Sequence, residues 1–154
     1  MRKKKIMFVC HGNICRSPMA QFVFLDILRK NGDEDLFEVD SSATSYEEIG
    51  NPLYPPAKRI LDKNGINYHV TYAKKLMADD YDKYDMFVCM DTRNIRMINM
   101  IFSSDRDRKI CKLLDFTDEK RDVTDPYYTG DFDSVFSDIK IGCQALYERL
   151  KRPK

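Results

Sequence analysis

Apolar residues are clustered in two different rhythms along this chain. Four short runs, Ile6–Val9, Phe37–Val39, Met86–Met90 and Ile110–Leu114, are bounded by polar residues and read as strands. Between them the spacing becomes helical. Pro18 to Lys30 carries Met19, Phe22, Val23, Leu25, Ile27 and Leu28 before an Asn31-Gly32 stop signal, and Pro55 to Lys63 repeats the arrangement up to Asn64-Gly65. Thr92 to Phe102 predicts a third helix with Ile95, Ile98, Met100 and Ile101 available to pack. Asp133 to Arg152 predicts a fourth, with Val135, Phe136, Ile139, Cys143, Leu146, Tyr147 and Leu150 on one broad face.

Strands separated by helices predict an α/β fold: a three-layer, doubly wound, four-stranded parallel sheet with helices on both faces, flavodoxin-like or Rossmann-like. Ligands of such sheets bind beyond the carboxyl ends of the strands, where Cys10 and Asp91 follow the first and third runs. There is no internal repeat or interdomain linker, so residues 1–154 read as one domain. The Pro-rich stretch Asn51 to Pro56 is a loop. Thr117 to Asp133 is the one long polar connection, and such loops are often functional.

Charge narrows the class further. The chain has 26 Lys and Arg against 25 Asp and Glu, a net +1, which argues against nucleic-acid or membrane-surface partners. The basic opening Arg2–Lys5 precedes only four apolar residues, too few for a signal peptide, and no segment reaches transmembrane length. Five cysteines without framework spacing read as cytosolic thiols, and the expectation is a cytoplasmic protein that is a monomer.

The chemistry concentrates in "VCHGNICRSPMAQ". Cys10 and Arg16 form a Cys-x5-Arg spacing, but so do Cys143 and Arg149 inside a helical pattern, where a buried thiol and a solvated charge suffice. Context separates them. Cys10 ends a strand, Gly12 and Asn13 readily enter left-handed backbone, and Ser17-Pro18 opens a helix with Pro at its favoured first position. A loop curled this way points N–H groups inward as an anion nest, beside the positive end of the helix. A thiol in that field is held as the nucleophilic thiolate, and Arg16 supplies a planar fork for two phosphoryl oxygens. The pattern predicts a phosphate cradle with a nucleophile at its floor.

The segment resembles the C-x-G-N-x-C-R-S-P loop of low-molecular-weight protein tyrosine phosphatases. "VDSSATS" (Val39–Ser45), "YDMFVCMDTRNI" (Tyr84–Ile95) and "DPYYTGDFDSVF" (Asp125–Phe136) resemble three further family segments, in the same order. The resemblance implies hydrolysis of phosphotyrosine in proteins, without metal or other cofactor, and inorganic phosphate or oxyanions as product or inhibitor. With only His11 and His69, the chain offers no histidine cluster for a metal.

An aryl ester needs a general acid outside the cradle. Asp125, in the long loop and set in extended geometry by Pro126, suits that role, and the resemblance implies the same. It also implies that Ser17 hydrogen-bonds the Cys10 sulfur and that Asn13 and Ser41 hold the loop's shape. His11, Gly12, Asn13, Ile14 and Cys15 line the cradle, and Tyr127 and Tyr128 flank its mouth, with Tyr127 on the substrate ring. Cys15, five positions from Cys10, is either a small apolar filler or a thiol that traps oxidised Cys10 as a disulfide, as the family is regulated.

Two departures stand out. The family places an aromatic side chain on the opposite wall; here Tyr46 is close to that place, but alignment puts Glu47 there. Glu47 therefore predicts a weakened preference for acidic phosphopeptides. A structural His of the family is replaced by Thr71, with His69 displaced, so the buried network is expected to be rebuilt. Three rival readings remain. An arsenate reductase shares the fold and loop but needs two further redox cysteines on a mobile segment, and Cys89 and Cys111 do not make an evident relay. A phosphoarginine phosphatase typically has Thr where this chain has Ile14. A non-catalytic phosphate-binding module would not need the nucleophile, Arg and acid together.

Overall fold

The computed structural model describes residues 2–151. Four strands, β1 (Lys4–Cys10), β2 (Phe37–Ala43), β3 (Met86–Cys89) and β4 (Ile110–Lys112), form one parallel sheet in the order β2-β1-β3-β4. Five helices accompany it: α1 (Arg16–Lys30), α2 (Pro55–Lys63), α3 (Thr92–Phe102), the single turn α4 (Pro126–Thr129) and α5 (Phe132–Leu150). The expected α/β architecture is present. The predicted last helical residue, Arg152, lies outside the described residues.

Alternation along β1 builds both layers of the core. Ile6, Phe8 and Cys10 face the larger cluster, where they meet Met19 and Phe24 of α1 and the Val135, Ile139 and Leu146 face of α5. Met7 and Val9 face the other side, with Phe87 and Cys89 of β3, Ile98 of α3 and Tyr81 of the 3-10 turn Ala78–Asp82. The period of two therefore turns the Cys10 side chain toward the start of α1. Helix α1 is buried almost continuously from Arg16 to Phe24, because α5 covers it on the side away from the sheet. Close packing of α5 on the turn after β4 requires Gly142, whose Cβ would come within 2.5 Å of Leu113 Cγ.

Several boundaries differ from the sequence reading. The fourth run splits: Ile110–Lys112 is strand, but Leu113–Phe116 curls into a 3-10 turn, with Asp115 accepting from the Lys112 N–H at 2.9 Å. The third strand stops at Cys89, since the Met90 N–H bonds the Asn94 side chain at 3.0 Å instead of a ladder partner. Helix α1 starts at Arg16, so Pro18 is its third residue, not its first; its missing N–H is still among those a helix start leaves unpaired. Inside the long connection, Asp125 caps the one-turn α4, its carboxylate accepting from the Tyr127 N–H at 3.0 Å.

Candidate active site

The carboxyl ends of β1 and β3, the start of α1 and the loop before α4 converge on one small cavity of about 90 Å³. Its lining includes every cradle residue from Cys10 to Arg16, together with Glu47, Asp125, Tyr127 and Tyr128. Glu48 and Tyr54 also line it, and neither stands out in the sequence. That volume suits a phosphoryl group with its aryl ring held between the walls, not a larger ligand enclosed whole.

Cys10 Sγ lies at the floor, 3 % exposed. It accepts the N–H of Asn13 at 3.3 Å and of Ser17 at 3.4 Å, and Ser17 Oγ is 3.0 Å away. Asn13 fixes the direction of that last contact. Its Nδ2 donates to Ser17 Oγ at 2.8 Å, which frees the Ser17 hydroxyl proton to point at the sulfur. The same amide donates to Ser41 Oγ at 3.0 Å, the Ser41 hydroxyl donates to Gln21 Oε1 at 2.6 Å, and Asn13 Oδ1 accepts the Lys74 N–H at 3.1 Å. The Asn13 side chain thus donates twice and accepts once, and no histidine takes part: His69 is exposed, its ring edge-on to Phe22.

Asn13 and Gly12 serve the loop differently. Asn13 has φ 60°, the left-handed region, which Asn enters at modest cost. Gly12 does not; a Cβ there would sit 3.2 Å from Glu48 Cγ, a tight contact that Glu48 would have to relieve.

Arg16 is buried, and its Nη1 donates to Asp91 Oδ2 at 2.7 Å and to the Val123 carbonyl at 2.8 Å. Its Nη2 reaches Asp125 Oδ2 more loosely, at 3.5 Å. Burial pulls the guanidinium pKa down, but the Cys10 sulfur, then Asp91 and Asp125, outweigh it and leave Arg16 more firmly charged than usual. Asp91 is the residue at the end of β3 that strand position marked without assigning it a role. It caps α3 through Oδ1, accepting the Asn94 N–H at 2.8 Å, while Oδ2 orients Arg16. The Cys15 thiol is pushed well up by burial first and by Cys10 second, against a pull from Arg16. Of the two thiols, only Cys10 is surrounded by donors.

The mouth is aromatic on one side and acidic on the other. Tyr127 and Tyr128 are exposed and edge-to-face with centroids 5.3 Å apart, and Tyr54 stands 6.2 Å from Tyr127. Tyr54 is held there because its N–H donates to the Ile14 carbonyl at 2.8 Å. Glu47 Oε1 pairs with His11 Nε2 at 3.1 Å across the rim. The expectation for Tyr46 is corrected: it does not line this cavity, and its ring turns outward under Lys75 Nζ, 4.8 Å from the centroid. Among the described residues, no three His, Cys, Asp or Glu side chains converge as a metal site.

The family model described as low molecular weight phosphotyrosine protein phosphatase matches residues 5–154. The chain belongs to that family. It is 36 % identical over 151 residues to the low molecular weight protein-tyrosine-phosphatase YfkJ of Bacillus subtilis, covering 97 % of each chain. The low molecular weight phosphotyrosine protein phosphatase of Gallus gallus is 35 % identical over 152 residues, covering 95 % of each. The crystal structure of YfkJ superposes with a TM-score of 0.93 at 35 % identity over 99 % of both chains. That of a low molecular weight protein tyrosine phosphatase from Streptococcus pyogenes gives 0.87 at 35 % identity, over 97 % of this chain and 94 % of that one. These phosphatases share the fold end to end, so the comparison spans all the segments that build the site.

Proposed function

We propose that this chain hydrolyses phosphotyrosine in proteins, and small aryl phosphates, through a phosphocysteine intermediate. The observation that carries the reading is the placing of Cys10 Sγ under three donors, on the same cavity as Arg16 and Asp125. The Cys10 thiolate attacks phosphorus in line with the leaving oxygen. Arg16, whose Nη1 is committed to Asp91 and Val123, offers its Nη2 side to the equatorial oxygens, together with the loop's remaining N–H groups. As the P–O(aryl) bond breaks, Asp125 transfers its proton to the tyrosine oxygen. A water then attacks the phosphocysteine and gives its proton to Asp125. The S–P bond breaks, and the departing thiolate is received by Ser17 Oγ and the Asn13 and Ser17 N–H groups. The contact of Asp125 with Arg16 and its cap on α4 support this role by holding the carboxyl at the cavity.

The ring of the substrate lies between Tyr127, Tyr128 and Tyr54, while Glu47 and Glu48 give the far wall negative charge. His11, Gly12, Asn13, Ile14 and Cys15 form the walls of the cradle. Residues 1–154 act as one domain, as a cytoplasmic monomer, a reading that rests on the charge balance and cysteine usage of the sequence. Under peroxide, Cys10 sulfenic acid condenses with the Cys15 thiol to a disulfide and water. Oxidised, inactive protein should then lose two of the five titratable thiols; five remaining would exclude the bond.

The test is to offer phosphotyrosine peptide, phosphoarginine and arsenate with thioredoxin in turn, in the presence of chelator. Rapid release of phosphate from phosphotyrosine alone supports the reading. Turnover only of phosphoarginine or arsenate, or tight phosphopeptide binding without turnover, overturns it in favour of a named rival.

A further inference from the structure

A second, shallow and open hollow lies beside the phosphate cavity, and Glu47 lines both. Its lining comes from the loop after β2, residues 44–47, from Lys75, and from Met97, Met100 and Ile101 of α3. Met100 is 74 % exposed and Tyr46 69 %, so two large apolar side chains are left in water on either side of the hollow. Thr44 is buried, and its hydroxyl has no hydrogen-bond partner among the described residues. Lys75 lies over the Tyr46 ring and donates to the Leu76 carbonyl at 3.0 Å, which keeps Tyr46 turned into this hollow and away from the cradle.

We infer that this hollow is a subsite for an aliphatic side chain of the phosphoprotein, close in sequence to the phosphotyrosine. The inference rests on the phosphatase reading and deepens it. Continuity selects the occupant: with phosphotyrosine in the cradle, a chain leaving past Glu47 crosses the hollow at once. Chemistry selects the side chain. Two methionines and an isoleucine present an adaptable, polarizable wall that suits Leu, Ile or Met, and apolar patches at the rim of a site mark contact surfaces. A small aryl phosphate fills the cradle without reaching any of these residues.

The experiment compares phosphotyrosine peptides carrying Leu or Ser at each of the two positions on either side of the phosphotyrosine. Wild type is set against Met97→Ser/Met100→Ser, with p-nitrophenyl phosphate as a reference substrate. In wild type, Leu should exceed Ser in kcat/KM by roughly tenfold at one or more positions, the scale of one buried aliphatic group. In the double variant the advantage should fall to within about twofold, with p-nitrophenyl phosphate turnover unchanged. Met100→Ser alone, at an exposed position, reads the same preference should the pair unsettle the fold. Equal rates for Leu and Ser at all positions, or an advantage that survives in the variants, would overturn the subsite. No turnover of p-nitrophenyl phosphate by wild type would instead count against the phosphatase reading itself.

Discussion

The phosphate loop, Cys10–Arg16, and the acid loop that runs from Thr117 to Asp125 meet over the same sulfur but are fastened differently. The side-chain bonds that join Asn13, Ser17, Ser41 and Gln21 are neutral and buried. The acid loop is tied at its surface by charge: Arg121 forks onto Asp138 with two bonds of 2.9 Å, and Asp122 accepts from Lys112 at 2.9 Å and from Thr92 Oγ1 at 3.0 Å. Only Val123 is fixed in the interior, its N–H on the Met90 carbonyl at 2.8 Å and its carbonyl on Arg16. Buried neutral bonds cost about 1–3 kcal/mol each to break and ignore salt. Exposed ion pairs are worth about 0–1 kcal/mol and are screened. The difference matches the tasks proposed for each loop. Stabilising charge on a phosphoryl group requires groups set in advance, whereas the acid must let a bulky phosphoprotein in and its product out.

The largest effect expected is from Cys10→Ser, which should lower phosphotyrosine turnover by at least about 10⁴-fold, as loss of a nucleophile does elsewhere. Asp125→Asn comes next, and it separates the loops. It should cost about 10²–10⁴-fold with phosphotyrosine, and distinctly less with p-nitrophenyl phosphate, whose leaving group needs little protonation. Equal losses on both substrates would show that Asp125 does not protonate the leaving group. Asn13→Ala should destabilise the fold by about 1–3 kcal/mol, read by denaturant unfolding, because it strands Ser17, Ser41 and the Lys74 N–H together. That loss should be the same at low and high salt.

The smallest effect tests the acid loop. Asp122→Asn should cost at most about 1 kcal/mol of stability, less still at high salt, while slowing phosphotyrosine more than p-nitrophenyl phosphate. Burial pushes the Asp122 carboxyl up, but the Lys112 and Thr92 hydrogen bonds outweigh it and hold the carboxyl below the usual range. A depressed folded value means that the tether stabilises fully above the unfolded carboxylate pKa of about 4 and is lost as pH falls through the lower folded one. A wild-type minus Asp122→Asn stability difference that grew on acidification would contradict this.

How far these features are legible in the sequence follows the range of the interaction. Cys10, Asn13, Arg16 and Ser17 lie in one loop whose local geometry their own types dictate, and Asp125 is marked by the proline behind it. Tyr54 and Glu48 come from a connection whose path depends on docking to Ile14 and Gly12, so no local signal points to them. Tyr46 and Glu47 show the limit most plainly. Adjacent residues on a rim face opposite ways: Glu47 meets His11 at the cradle and Tyr46 meets Lys75 outside it, both partners distant along the chain. The main strands and helices were readable as types but not to their ends: Asn94 cuts β3 short and Asp115 β4, β2 runs on to Ala43, α1 starts two residues before Pro18, and the one-turn α4 lies within what read as loop. The period of two along β1 was enough to aim Cys10.

The central claim is that Cys10 carries the phosphoryl group between the two steps. Wild-type protein mixed with excess p-nitrophenyl phosphate, quenched in acid within the first turnovers and mapped by mass spectrometry, tests it directly. Phosphate found on the peptide bearing Cys10, absent from the Cys10→Ser control, is the predicted result. Product release with no phosphate on Cys10, or with phosphate on another residue, would contradict it.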